Sequence, residues 1–153
     1  MSNMTSSERR LLAVLQQNGR ISNVALSERV GMSETHCLRR VRQLEEAGII
    51  RGYRAELDAE KIGQGVSAFV YVTTDQRTET DRKLFMTAVV EETQVISCAA
   101  TSGAYDFVLE VVAPDIAGLG DLTMRRLLSL PTVRSVSSSV VFRWLKRNHP
   151  LPV

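Results

Sequence analysis

Three guanidinium groups, on Arg39, Arg40 and Arg42, fall within four positions of the stretch SETHCLRRVRQLEEAG (33–48). Cationic forks at this density bind anions, yet the same stretch spaces Cys37, Val41 and Leu44 as the apolar face of a helix would. At about 100° per residue, those three lie within roughly 60° of one another. Thr35, Arg39 and Arg42 fall on the far side, with His36 and Gln43 beside them. One side of the helix seeks a core and the other an anion.

Two readings of the polar side are open. In the first, Arg39 and Arg42 are a solvated surface, paired one turn along with Glu46 and neighbouring acids. In the second, the helix lies in the major groove of double-stranded DNA, where base edges carry a unique donor and acceptor pattern. Ser33 at the cap, Glu34, Thr35 and His36 in the first turn and Arg39 one turn on then meet the duplex. Arg39 can span guanine O6 and N7, and Arg42 shares its face. Arg40 sits near the shoulder of the buried side and suits a phosphate contact or an internal ion pair. Arg29, Arg51 and Arg54 are further phosphate candidates, and Cys37 reads as a small core residue.

What precedes this helix favours the second reading. Thr5 and Glu8 have capping-box spacing ahead of Leu11, Leu12, Val14 and Leu15, and Asn18-Gly19 suits the end of that helix. Ser22 can cap a second helix over about 23–30, with Val24, Ala25 and Val30 inward. Gly31 supplies a tight turn, Ser33 caps the third helix, and Gly48 ends it. Three short helices with a glycine turn between the last two form a helix-turn-helix unit.

Charge is divided accordingly. Residues 1–55 hold nine arginines against five glutamates, a surplus of four, whereas 56–153 hold ten basic and twelve acidic residues, a deficit of two. The positive front points to a polyanion. The 153 residues, 44% hydrophobic and 24% charged, are those of an ordinary globular chain of one domain or two small ones. No apolar run approaches the roughly 18 residues a bilayer needs, and the polar start MSNMTSSERR is unlike a secretory signal, so a cytoplasmic protein without a membrane partner is expected. Cys37 and Cys98, and likewise His36 and His149, have no metal-ligand or disulfide spacing. With no Ser/His/Asp set, no glycine-rich phosphate loop and no metal cluster, the residues favour neither an enzyme nor a bound cofactor. A basic front of this kind would also serve an architectural protein that wraps DNA with little sequence preference.

From residue 49 the period changes to two. IIRGYRAELD reads as a short strand and DAEKIG as a turn or connecting segment. Strands are expected at 65–74, 93–102, 104–113 and 132–144. Helices are expected at 78–92, with Leu84, Phe85, Ala88 and Val89 inward, and at 115–130, with Ile116, Leu119, Leu122 and Leu127. The order βαββαβ is that of ferredoxin-like folds, with two helices on one face of a four-stranded antiparallel sheet. Phe69, Tyr71, Tyr105, Phe107, Leu109 and Val111 then offer the bare face enough apolar area to recruit a second copy, giving a homodimer with twofold-related recognition helices. The class is α+β: helix-turn-helix domain 1–54, linker 55–64, and a βαββαβ domain 65–153 that dimerises.

These residues resemble the leucine-responsive regulatory protein/AsnC family of bacterial and archaeal transcription regulators, also called feast/famine regulators. NGRISNVALSERVGMSETHCLRRVRQLEEAGIIRGYRAELDAEKIG is similar to the family's helix-turn-helix and linker, and SGAYDFVLEV to its G-x-Y-D loop before the third strand. The resemblance implies dimers joined through their sheets, further assembly to octamers, and an amino-acid effector bound between dimers. It maps the effector loop onto Thr101, Ser102, Gly103, Ala104, Tyr105 and Asp106, with Ser137 and Ser139 as hydroxyl contacts on the last strand. Exposed N–H groups of the glycine turn would meet a carboxylate, and Asp106 an ammonium. Read from the residues alone, Asp106 could equally serve its own turn, and the serines a plain solvent-facing edge. Ala104 departs from the acidic or polar residue common in relatives, and Glu34 and His36 stand where relatives often have prolines.

Overall fold

The computed structural model describes residues 4–75 and 78–153. The chain forms two compact units: one runs to Glu56 and is rejoined by Leu145–Val153, and the other is Leu57–Trp144.

The first unit holds α1 (Ser6–Gln17), α2 (Asn23–Val30) and α3 (Glu34–Glu46). Each starts where a hydroxyl takes up an orphan amide. Thr5 and Glu8 close a capping box, the Ala25 N–H donates to Ser22 Oγ (3.2 Å), and the His36 N–H donates to Ser33 Oγ (3.4 Å). Gly31 (φ 68°) and Gly48 (φ 67°) take the left-handed conformations that end α2 and follow α3. Leu11, Leu12, Leu26, Val30, Cys37 and Leu44 form the core, with Val41 packed against it. Val24, expected inward, is exposed: α2 buries Leu26, Ser27 and Val30, and Val24 lies off that stripe.

The expected strand IIRGYRAELD does not form; its alternation finds no neighbouring strand to take up its backbone groups. Asp58–Gly63 is a turn, with the Gly63 N–H donating to Glu60 O (3.0 Å). Residues 145–153, expected with the sheet, instead belong to the first unit. There the side-chain amide of Gln16 pairs with the backbone of Leu151: Leu151 N–H donates to Gln16 Oε1 (2.6 Å), and Gln16 Nε2 donates to Leu151 O (3.1 Å).

The second unit is β1 (Val66–Thr74), α4 (Glu79–Glu91), β2 (Val95–Ala100), β3 (Phe107–Ala113), α5 (Ile116–Gly120) and β4 (Val133–Val140). All strand pairs are antiparallel, in the order β2-β3-β1-β4. α5 widens into a π-helical turn over Asp121–Leu127, where the Thr123 hydroxyl donates back to Leu119 O (2.9 Å). Phe85 and Val89 of α4 and Leu119, Leu122 and Leu127 pack on Ala68, Val70, Val72, Leu109, Val111 and Ala113.

Period two corrects the expected bare face. Leu109 and Val111 are fully buried under the helices, and Phe107 stacks on Phe85 with ring centroids 4.6 Å apart. The opposite face carries Phe69, Tyr71, Val108, Glu110 and Val112, and on β4 Ser137 opposite Tyr71 and Ser139 opposite Phe69. Leu84 and Ile116, expected inward, are exposed because the buried stripes run through Phe85–Val89 and Leu119–Leu122. Strand β3 starts at Phe107 rather than Ala104, and β4 ends at Val140 rather than Trp144.

Candidate functional site

Two groups of candidate residues lie in separate units. In the first unit, the buried side of α3 fixes what its other side presents. Its flanks are pinned by Asn23 Nδ2 donating to Glu34 O (3.0 Å) and Tyr53 Oη donating to Glu45 Oε1 (3.0 Å). Ser33, Glu34, Thr35, His36, Arg39 and Arg42 are all exposed, with Ser33 also serving as the cap. Thr35, Leu38, Arg39, Arg42, Gln43 and Glu46 line a shallow recess of about 350 Å³. The surface pairing of Arg39 and Arg42 with Glu46 does not form: neither arginine has an ion-pair or hydrogen-bond partner among the described residues.

Arg40 behaves differently from its two neighbours. Its guanidinium lies 3.4 Å from Glu8 and donates to Gln43 Oε1 (3.1 Å), so it forms the internal ion pair its shoulder position allows. Glu8's carboxyl is held below the ordinary carboxylate range, first by the Thr5 N–H, then by the Thr5 hydroxyl, with Arg40 adding to the effect. Arg29, Arg51 and Arg54 are exposed. Arg51 and Arg54 line a depression of about 940 Å³ with Leu12, Gln16 and Leu151. Burial pushes the Cys37 thiol up, consistent with a core role.

In the second unit, Thr101–Asp106 connects β2 to β3. The Thr101 N–H donates to Asp106 O (2.9 Å) and its hydroxyl to Tyr105 O (2.7 Å), which closes the loop on itself. Ser102, Gly103 and Ala104 are exposed, and their N–H groups have no acceptor among the described residues. Gly103 has φ 156° with open space where a Cβ would stand. Asp106 Oδ2 accepts from both the Thr74 N–H (2.6 Å) and the Thr74 hydroxyl (3.0 Å), bracketing the end of β1. Tyr105 stacks on Tyr71 at 5.0 Å, and Tyr71 pairs with Ser137, so the fold brings loop and last strand to one side of the sheet through Tyr71.

Sequence reasoning missed Leu38, Thr74 and Tyr71 as site residues. Leu38 was legible from its helical offset of three from Thr35; Thr74 meets Asp106 across 32 positions, for which no local spacing exists.

Family models match both units: a winged helix-turn-helix DNA-binding model over residues 4–51, and the Lrp/AsnC ligand binding domain over 67–151. This chain belongs to the Lrp/AsnC family. It is a DNA-binding transcription regulator and not an enzyme. The leucine-responsive regulatory protein of Rhizobium meliloti is 39% identical over 90% of this chain and 88% of its own length. That of Escherichia coli is 37% identical over 95% and 89%. Among solved structures, a transcriptional regulator from Neisseria meningitidis in complex with L-Met superposes with a TM-score of 0.94 at 37% identity, covering 98% of this chain and 97% of that one. An AsnC family transcriptional regulator from Agrobacterium tumefaciens gives 0.90 at 34%, covering 97% of each. Among the described residues of this Lrp/AsnC protein, no helix is long and apolar enough to cross a membrane.

Proposed function

We propose that this regulator binds double-stranded DNA through the exposed side of α3 and that an amino acid or closely related metabolite, bound at the Thr101–Asp106 loop, controls that binding or the assembly of the protein. The observation that carries the DNA reading is the pair of unpartnered guanidiniums, Arg39 and Arg42, on the solvent side of a capped, packed helix. Arg39 reads a base edge. Glu34, Thr35, His36 and Arg42 contribute from the same helix, Ser33 stands at its phosphate-facing cap, and Arg51 and Arg54 contact phosphate. Arg40 supports the helix through Glu8 and reaches phosphate only by releasing it.

For the effector, the free N–H groups of Ser102, Gly103 and Ala104 suit a carboxylate. Asp106 keeps Oδ1 for an ammonium while Oδ2 holds Thr74. Ser137 and Ser139 supply hydroxyls beside Tyr71 and Phe69. The relative crystallised with L-Met supports an amino acid as the effector class. The sheet face bearing Phe69, Tyr71, Val108 and Val112 packs on a second copy. The homodimer assembles further to an octamer in the cytoplasm, with effector sites between dimers.

Salt dependence of duplex binding tests the first half. Contacts to about four to eight phosphates per dimer give a log K against log salt slope of several units; a flat response refutes DNA binding. A thermal-shift screen of amino acids tests the second half, since a ligand at a hundred times its Kd stabilises by about 2.7 kcal/mol. No shift with any of them, in the presence or absence of DNA, removes the effector reading.

A further inference from the structure

One side chain on the polar side of α3 does not belong to a polar side. Leu38 is 41% exposed and stands outside the core cluster of its unit, three residues after Thr35 and four before Arg42. Leu38, Thr35, Arg39 and Arg42 line one recess, so an isobutyl group and a threonine sit beside two unpartnered guanidiniums. Single exposed leucines are ordinary on protein surfaces. This one is set apart by its company, because whatever covers it must satisfy two cations and an apolar group together.

We infer that Leu38 is a specificity-determining residue that packs on the C5-methyl of a thymine next to the guanine read by Arg39. The inference rests on the proposed DNA-reading role of α3 and deepens it. A duplex major groove offers the required combination: phosphates for the guanidiniums, guanine O6 and N7 for a fork, and an apolar methyl only where the base is thymine or a methylated cytosine. RNA fails on both counts, since uracil lacks the methyl and the A-form major groove is too narrow for side chains to read. Leu38 and Arg39 leave the helix axis about 100° apart, so they address different groups in the groove rather than the same one. The methyl of Thr35, on the same strip, can share the contact. Gln43 and Glu46 also line the recess, Glu46 being the last residue of α3.

The test uses the full-length protein. A preferred duplex is selected from a random library, and each thymidine in it is then replaced in turn by deoxyuridine, which removes only the methyl. The expected result is at least one position per half-site, adjacent to a guanine, where the replacement weakens binding about three- to tenfold. A buried methylene-sized group contributes roughly 0.8 kcal/mol, a factor of about four. In Leu38→Ala and Leu38→Gln proteins that penalty disappears, whereas Arg39→Ala weakens binding overall and keeps it. Restoring the methyl with 5-methylcytosine at the same position, where the base change is tolerated, restores the penalty on its removal in the wild type alone. Leu38 lies outside the core, so both variants should melt with the wild type; the pair guards against one of them misfolding.

The inference is overturned if no thymine methyl in the selected duplex matters, or if the methyl penalty is the same in wild type and both Leu38 variants. A wild type that enriches no duplex and shows no salt-dependent binding instead refutes DNA reading by α3, and this inference with it. The two failures are told apart by whether the wild type binds DNA at all.

Discussion

Arg40 and Glu8 meet at 3.4 Å, joining the third helix to the start of the first. Glu8 is also the carboxylate of the Thr5 capping box, accepting from the Thr5 N–H and hydroxyl at 2.7 Å each. Arg40→Ala should therefore loosen the helical unit as well as remove a cation from the helix proposed to meet DNA. It should lower the melting temperature, whereas Arg39→Ala and Arg42→Ala should leave it unchanged and lower only DNA affinity. Parallel melting and binding titrations of the three variants check this.

The same carboxylate makes acid stability predictable in sign. Its folded pKa lies below the ordinary 4.5 because Thr5, then Arg40, favour the charged form. Its contribution is complete above that ordinary value and is lost as pH falls through the lowered one. Wild type should therefore lose its advantage over Glu8→Gln on acidification through and below about pH 4.5, and keep it at neutral pH. Melting curves of both proteins across that range decide; a difference independent of pH would place the effect elsewhere.

Tyr53 should behave in the opposite direction. Burial, then its hydrogen bond to Glu45 and that residue's charge, push its phenol up to about 12. The folded form holds the proton longer, so its contribution is complete below the ordinary value of 10 and is lost as pH rises towards 12. Tyr53→Phe should cost less than about 1 kcal/mol at neutral pH, because the pair is half exposed. It should also remove a step near pH 12 from a tyrosinate absorbance titration. The ring also covers Gly19, where a Cβ would stand 3.1 Å from Tyr53 Cδ1, so Gly19→Ala should push the ring aside slightly and move that titration step towards the ordinary phenol range without removing it.

Asp106 has a structural duty that precedes any ligand. Asp106→Ala leaves the Thr74 N–H and hydroxyl without their acceptor, a loss of roughly 1–3 kcal/mol in the sheet unit. The variant should melt lower even without effector. In a double-mutant cycle with Thr74→Val, the two losses should fall short of additive. Additivity would mean that the bracket contributes nothing. Loss of an amino-acid response in Asp106→Ala is therefore informative only beside Ser137→Ala, which leaves the bracket intact.

The uncovered sheet face gives a test of assembly. Phe69 and Tyr71 stand next to each other on β1 in register with Ser139 and Ser137, and Phe69 also meets Trp144 edge to face at 5.6 Å. Placing a charge there by Phe69→Glu should break the proposed sheet-to-sheet contact, read as a lower particle mass in sedimentation, and weaken DNA binding by separating linked half-sites. A mass identical to wild type would show that copies associate elsewhere.

Local chemistry made much of this protein legible from its residues. Thr5 with Glu8, Ser22, Ser33 and Gly31 each act on amides within four positions, so their helix boundaries follow from neighbours in the chain. The apolar side of α3 is equally local, being a matter of residues three and four apart, and this leaves Arg39 and Arg42 facing solvent. Period two likewise separates Phe107, Leu109 and Val111 from Val108, Glu110 and Val112, but it cannot say which set the helices cover.

Tertiary packing alone decided that question, and it decided the others on which function depends. Asp106 meets Thr74, and Arg40 meets Glu8, across 32 positions each. Tyr105 meets Tyr71, and Leu151 meets Gln16, at comparable or greater separations. The segment IIRGYRAELD alternates like a strand yet pairs with none. A strand exists only where another backbone accepts its hydrogen bonds, and a carboxylate binds whichever donor the fold brings near. Residue order specifies which groups are available; closure of the chain on itself chooses which of them meet.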